Sequence, residues 1–176
     1  MEVKNCLEAI GGNLLSGDKN KVFRGVSIDS RTLIENELFI CICGDRFNGH
    51  DFIKEAQNKK ASAIVLSDSS RIASKNNTAP PVIHVDDTLK ALQELARFHR
   101  SQMSVKVIGV TGTNGKSTTK EMTASIIEKK FKTIKTKGNL NNHIGLPLNL
   151  FRLSKKDEVA VMEMGMSAAG EIKRLA

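Results

Sequence analysis

The chain has 176 residues, 40% of them apolar, with 27 Lys and Arg against 19 Asp and Glu and a formal net charge of +8. That length holds one ordinary domain or two small ones with enough apolar side chains for a core, and the composition excludes a disordered or collagen-like chain. No window approaches the about 20 apolar residues that span a bilayer, and the amphipathic N-terminus is not a signal core, so a cytoplasmic protein is expected.

In chain order, Val3, Cys6, Leu7 and Ile10 recur at helical spacing and Gly11-Gly12 supplies the stop. Strand-like runs follow at Val22–Ile28 and Leu38–Cys43, then a short helix at Asp51–Gln57 and a buried strand at Ala63–Leu66. A polar stretch closed by Pro80-Pro81 leads to a strand at Val82–Val85. Asp87 caps the next helix, whose apolar face is Leu89, Leu92, Leu95, Ala96 and Phe98. Val105–Val110 reads as a buried strand, and Lys116–Lys130 as a helix with Met122, Ile126 and Ile127 inward. Lys132–Lys135 reads as a strand, a segment at Ile144–Leu153 follows a Gly-rich stretch, and Val159–Met164 is a further apolar strand. Strands alternating with helices predict an α/β protein with mainly parallel sheets, divided into domains at 1–85 and 86–176.

The net charge raises nucleic-acid binding, but seven Phe and no Tyr or Trp leave little for base stacking, and no Arg-rich run occurs. The basic stretch Lys129–Lys137 alternates as a solvated, half-exposed strand would. Cys41 and Cys43, two apart, point to one face of a strand, and Cys6 sits in a helix. Without a C-x-x-C or a His cluster at metal spacing, all three are expected to be reduced core cysteines.

The strongest chemical signal is the run from Val107 to Thr119, in which a buried strand enters the turn Gly112-Thr113-Asn114-Gly115 and a helix opens at Lys116-Ser117-Thr118. Glycines let backbone N–H groups converge on an anion, and a helix N-terminus adds partial positive charge. Lys116 offers a point charge to β- and γ-phosphates, and the Ser117 hydroxyl can ligate Mg²⁺. Val110 stands where the general P-loop pattern has its first Gly, so the loop is a shortened variant. Glu163 is a lone carboxylate near the C-terminal end of an apolar strand, the end of a parallel sheet where ligands bind and where an acid can hold Mg²⁺. Gly138-Asn139-Leu140-Asn141-Asn142-His143-Ile144-Gly145 reads on its own as a polar loop, and His143 has no partner ligand at metal spacing.

Taken together, Thr-Gly-Thr-Asn-Gly-Lys-Ser-Thr-Thr-Lys-Glu, Gly-Asn-Leu-Asn-Asn-His-Ile-Gly-Leu-Pro and Met-Glu-Met-Gly-Met-Ser-Ala-Ala-Gly-Glu-Ile resemble the Mur ligases, most of all their D-alanyl-D-alanine-adding type. Ser27-Ile28-Asp29-Ser30-Arg31 and Gly44-Asp45-Arg46-Phe47-Asn48-Gly49-His50-Asp51-Phe52 resemble the uridine-nucleotide-binding domain of that type. The resemblance implies a small substrate-binding domain followed by the start of a P-loop NTPase-like domain. The implied reaction is ATP-dependent amide synthesis for peptidoglycan, cell shape and division: a UDP-N-acetylmuramoyl-tripeptide carboxylate becomes an acyl phosphate and is captured by D-Ala-D-Ala. The same resemblance puts Gly112, Thr113, Asn114, Gly115, Lys116, Ser117 and Thr118 on ATP, with Lys116 as the catalytic cation and Ser117 and Glu163 on Mg²⁺. Ser30, Arg31, Asn48, Gly49 and His50 are implied for the uridine end, and Asn139, Asn141 and Asn142 for the muramoyl end. No nucleic acid and no membrane span are expected, and a monomer is expected at full length. Ligases of this kind continue past the position matching Ala176, so these residues alone are expected to be inactive and to leave Val159–Met164 at an uncovered sheet edge. The alternatives are another Mur-type or folylpolyglutamate-type ligase, a uridine-nucleotide-binding module without chemistry, and a regulatory P-loop switch.

Overall fold

The computed structural model describes residues 1–44, 47–71, 79–166 and 170–172. Asp45 and Arg46, most of the polar stretch before Pro80, the Ser167-Ala168-Ala169 motif segment and residues 173–176 lie outside the described residues. The chain forms two compact units, Met1–Leu95 and Ala96–Ala176, divided within a helix.

The first unit opens with α1 (Val3–Ile10), which buries Val3 and Cys6 and ends where Gly11 takes the left-handed φ of 62° that a side chain disfavours. Five strands follow: β1 (Asn13–Ser16), β2 (Gly25–Ser27), β3 (Glu37–Ile40), β4 (Ala63–Leu66) and β5 (Val82–His84), in the order β1-β5-β4-β3-β2. All neighbours are parallel except β1, which runs antiparallel to β5. A 3₁₀ turn at Gly49–Phe52 leads into α2 (Ile53–Asn58), so the expected helix at Asp51–Gln57 begins as a tighter coil. Phe39, Ile64 and Leu66 pack with Ile53, Ala56 and Leu33 on one face. Leu38, Ile40, Val65 and Ile83 point the other way and are equally inaccessible, as strands covered on both faces must be. The strand β1 was not anticipated, because Asn-Leu-Leu-Ser lacks the β-branched and aromatic residues that mark strands.

The helix α3 (Thr88–Ser101) spans the division. Its first turn is capped as expected, with Asp87 Oδ1 accepting from the N–H groups of Leu89 (2.8 Å) and Lys90 (2.9 Å).

The second unit holds β6 (Lys106–Val110), α4 (Lys116–Ile127), β7 (Thr133–Lys135), α5 (Gly145–Leu150) and β8 (Val159–Glu163). The sheet is parallel in the order β6-β8-β7, so the last strand of the sequence is the middle strand in space. Alternate residues of β8 face opposite helices: Ala160 and Met162 meet Leu146 and Leu150 of α5, and Val161 meets Ala124 and Ile127 of α4.

Three expectations are corrected. The uncovered edge is β6, where Val107 and Ile108 are exposed, while Val159–Glu163 is buried throughout. The inward stripe of α4 is Lys120, Ala124 and Ile127, whereas Met122 and Ile126 are 61% and 67% exposed. That stripe carries a lysine, so apolar periodicity alone points to the wrong side of the helix. Finally, Cys6 and Cys41 are buried, and burial pushes both thiols up to about 12, but Cys43 lies past the end of β3 and is exposed.

Candidate active site

The glycine loop leaves β6 at Val110 and turns into α4. Gly115 sits at the helix N-cap with φ 76°, where an L side chain would be strained, and no side chain caps the helix. The first N–H groups of α4 are therefore left to an anion, with the helix dipole behind them. The Lys116 ammonium folds back over the loop, donating to the carbonyls of Gly112 (2.8 Å) and Thr113 (3.4 Å). Thr113, Asn114 and Thr118 are exposed along the same turn.

Glu163, at the C-terminal end of β8, is 3% exposed, and both of its carboxylate oxygens are occupied. Oε2 accepts from the Ser117 hydroxyl at 2.9 Å and lies 3.7 Å from the Lys120 ammonium; Oε1 accepts from the Asn141 amide at 2.7 Å. Its backbone N–H donates to Thr136 Oγ1 at 2.8 Å, tying the end of β8 to the residue after β7. The structure thus brings together Ser117, Asn141 and Glu163, which are widely separated in sequence.

Sequence reasoning passed over Lys120, Thr136 and Asn149. Lys120 is 3% exposed, and its Nζ reaches Thr136 O (3.3 Å) and Glu121 Oε1 (3.1 Å) as well as Glu163. The available signal was spacing: Ser117, Lys120, Ala124 and Ile127 fall on one helix face. Asn149 is fully buried in α5, donating to Leu140 O (2.8 Å) and accepting from the Lys137 N–H (3.0 Å). It anchors both sides of the Gly138–Gly145 loop and hence Asn141. Within that loop Asn142 Oδ1 is taken by the N–H groups of Ile144 and Gly145, while Asn139 is exposed.

The first unit contains a cleft of about 410 Å³. Its walls include Ile28, Ile42, Phe47 and Phe52, and Ser30, Arg31 and Gly49 line it as well. A Cβ on Gly49 would stand 2.7 Å from Ile42 N, so only glycine lets the two backbone segments approach. The turn at 29–31 is clamped from α2 and its end: Ser30 Oγ donates to Glu55 Oε2 (2.8 Å), and Lys59 Nζ donates to the carbonyls of Ser30 (2.7 Å) and Arg31 (2.8 Å). Arg31 forks onto Asp29, and that guanidinium holds the Asp29 carboxyl below its usual range.

Asn48 and His50 are placed beside the cleft but are bonded to the protein. His50 Nε2 accepts from the N–H groups of Ser67 (3.0 Å) and Asp68 (3.2 Å), so its proton is on Nδ1, 2.7 Å from Asn48 Oδ1. Burial is the main cause of a His50 pKa below the usual imidazole value.

Comparison with known proteins matches both units to one family. Residues 22–100 match the family model described as Mur ligase family, catalytic domain, and residues 110–176 match the Mur ligase middle domain. The UDP-N-acetylmuramoyl-tripeptide--D-alanyl-D-alanine ligase of Bacillus subtilis is 43% identical over 98% of this chain and 37% of its own length. That of Treponema pallidum is 36% identical over 97% of this chain and 39% of its own. The chain therefore spans under two-fifths of the length of these relatives. A crystal structure of MurF from Acinetobacter baumannii superposes with a TM-score of 0.89 at 31% identity, over 99% of this chain and 37% of that one. MurF ligase from Thermotoga maritima in complex with ADP superposes at 0.73 and 34% identity, over 87% of this chain and 35% of that one. These matches extend the resemblance of the short motifs along nearly the whole chain, and the chain belongs to the Mur ligase family, carrying its N-terminal and middle domains.

Proposed function

We propose that this chain supplies the uridine-nucleotide-binding and ATP-handling parts of an ATP-dependent ligase that joins D-Ala-D-Ala to UDP-N-acetylmuramoyl-tripeptide in peptidoglycan precursor synthesis. The observation that carries the ATP half is the meeting of Ser117, Asn141 and Lys120 on the buried Glu163, one helix turn from an uncapped glycine loop. The names of the relatives support the choice of substrates, and the ADP complex of one neighbour supports the nucleotide.

In this scheme the loop from Gly112 to Thr118 cradles the triphosphate with backbone N–H groups. The Lys116 ammonium leaves the Gly112 and Thr113 carbonyls for the β- and γ-phosphates, placing its charge where negative charge develops. A hydroxyl and a carboxylate side by side suit Mg²⁺, which takes one or two carboxylates and completes its shell with phosphate and water oxygens. Ser117 and Glu163 would hold it, and its contribution is to neutralise triphosphate charge. Asn141 keeps the second Glu163 oxygen in place. In the first unit, the apolar walls of the cleft take the uridine base, and the clamped turn at Ser30 and Arg31 faces the diphosphate. Among the described residues no helix is long and apolar enough to cross a membrane, and the nucleotide substrates point to the cytoplasm.

Titration calorimetry tests both halves. Mg·ATP and UDP-N-acetylmuramoyl-tripeptide are expected to bind non-competitively, each at its own site. Uridine-nucleotide binding without ATP binding would reduce the chain to a binding module, and the reverse would remove the role of the first unit.

A further inference from the structure

A buried carboxylate is costly unless charge or hydrogen bonds compensate it. Glu163 has two neutral donors, Ser117 and Asn141, and one cation, Lys120, at 3.7 Å. Lys120 is itself 3% exposed and is held by Thr136 O and by Glu121, whose other oxygen pairs with Lys135 at 2.7 Å. The ammonium is thus fixed beside the carboxylate, and Lys120 lies one helix turn from the loop lysine Lys116. Among the described residues no three His, Cys, Asp or Glu side chains gather into a cation cage, so a metal here depends on oxygens from the nucleotide.

We propose that Lys120 is a positioning residue that makes cation binding at Glu163 conditional on bound nucleotide phosphates. Lys120 is shared between Glu163 and Glu121, and Lys135 offsets the second, so a divalent cation arriving alone meets a neutral cluster and gains little. A nucleotide adds its own negative charge in front of the carboxylate, and the cation then binds between the two. Lys120 also holds Oε2 toward Ser117, so the ligand geometry exists before the cation arrives. This role rests on the nucleotide-and-cation site proposed above.

The test is Mn²⁺ binding to the whole chain, with and without ADP, followed by electron paramagnetic resonance. The wild-type chain is expected to bind Mn²⁺ far better with ADP than without. Lys120→Met is expected to bind Mn²⁺ alone about tenfold more tightly than wild type, because the competing charge is gone, and so to lose most of the ADP dependence. Lys120→Arg, which keeps the charge, is expected to retain it. Lys120→Gln serves as the neutral variant if the Met variant does not fold, as judged by circular dichroism. Unchanged or weaker Mn²⁺ binding in the folded neutral variant, with ADP dependence intact in wild type and lost in Glu163→Gln, overturns the role of Lys120 alone. A wild-type chain whose Mn²⁺ binding ignores both ADP and Glu163→Gln overturns the site itself and Lys120 with it.

Discussion

The two units use polar side chains in opposite ways. In the first, the residues around the cleft are bonded to one another: Arg31 to Asp29, Ser30 to Glu55, Lys59 to two carbonyls, and His50 to Asn48 and two N–H groups. In the second, an amide from a loop and a hydroxyl and an ammonium from one helix converge on one carboxylate at a strand end. The first arrangement fixes the shape of a cleft with largely apolar walls, while the second concentrates charge. Substitutions in the first unit should therefore act through stability and fit, and those among the groups on Glu163 and the glycine loop through the ligand's charge.

The sharpest break of that contrast is Lys116→Ala, expected to weaken ADP binding about 100-fold, roughly 2.7 kcal/mol, while uridine-nucleotide affinity measured by calorimetry stays within about twofold. Equal losses at both sites would show that the two units are not energetically separate. Next is Asn149→Ala, which removes a fully buried side chain and its partly buried bonds to the Leu140 carbonyl and the Lys137 N–H. Urea unfolding should report a loss of about 2–3 kcal/mol, with ADP affinity reduced because Asn141 is no longer anchored.

His50 gives an intermediate effect with a pH signature. Its folded pKa lies below the unfolded value, so the unfolded chain takes up a proton that the folded one refuses. Stability from this group is complete above the ordinary imidazole pKa of about 6.5 and declines as pH falls below it. His50→Gln should lower stability by about 1–2 kcal/mol at neutral pH and flatten that decline, as read from melting temperatures across the range. The smallest effect on stability is expected for Arg31→Ala, within about 0.5 kcal/mol because the pair with Asp29 is exposed, whereas the change should lower uridine-nucleotide affinity.

The contrast also explains what could be read in advance. The strand, glycine turn and helix from Val107 onward form one local signal, as do the Gly11 stop and the Asp87 cap, because each lies within a few residues. Glu163 stood out as one acid in an apolar strand. The tasks of His50 and Lys120 were not legible, since they depend on partners 17 and 43 residues away: Ser67 for the first, and Glu163 (163 minus 120) for the second. The stripe of α4 is hidden for the same reason, since two of the groups that accommodate a lysine on its buried face, Thr136 and Glu163, are distant in sequence.

The strand order of the second sheet has a consequence for how the molecule is made. In the first unit β2, β3, β4 and β5 are neighbours in the order in which they leave the ribosome, so each new strand finds its place beside the last. In the second, β6 and β7 never touch, and each waits for β8 between them. Those pairings close long loops, which slows their formation. Because β8 also carries Glu163, the strand that joins β6 to β7 is the one that brings the carboxylate to Ser117 and Lys120. A nascent chain therefore holds its glycine loop without this carboxylate until residue 163 has emerged, and Ser117, Lys120 and Asn141 gain their shared partner in a single late step.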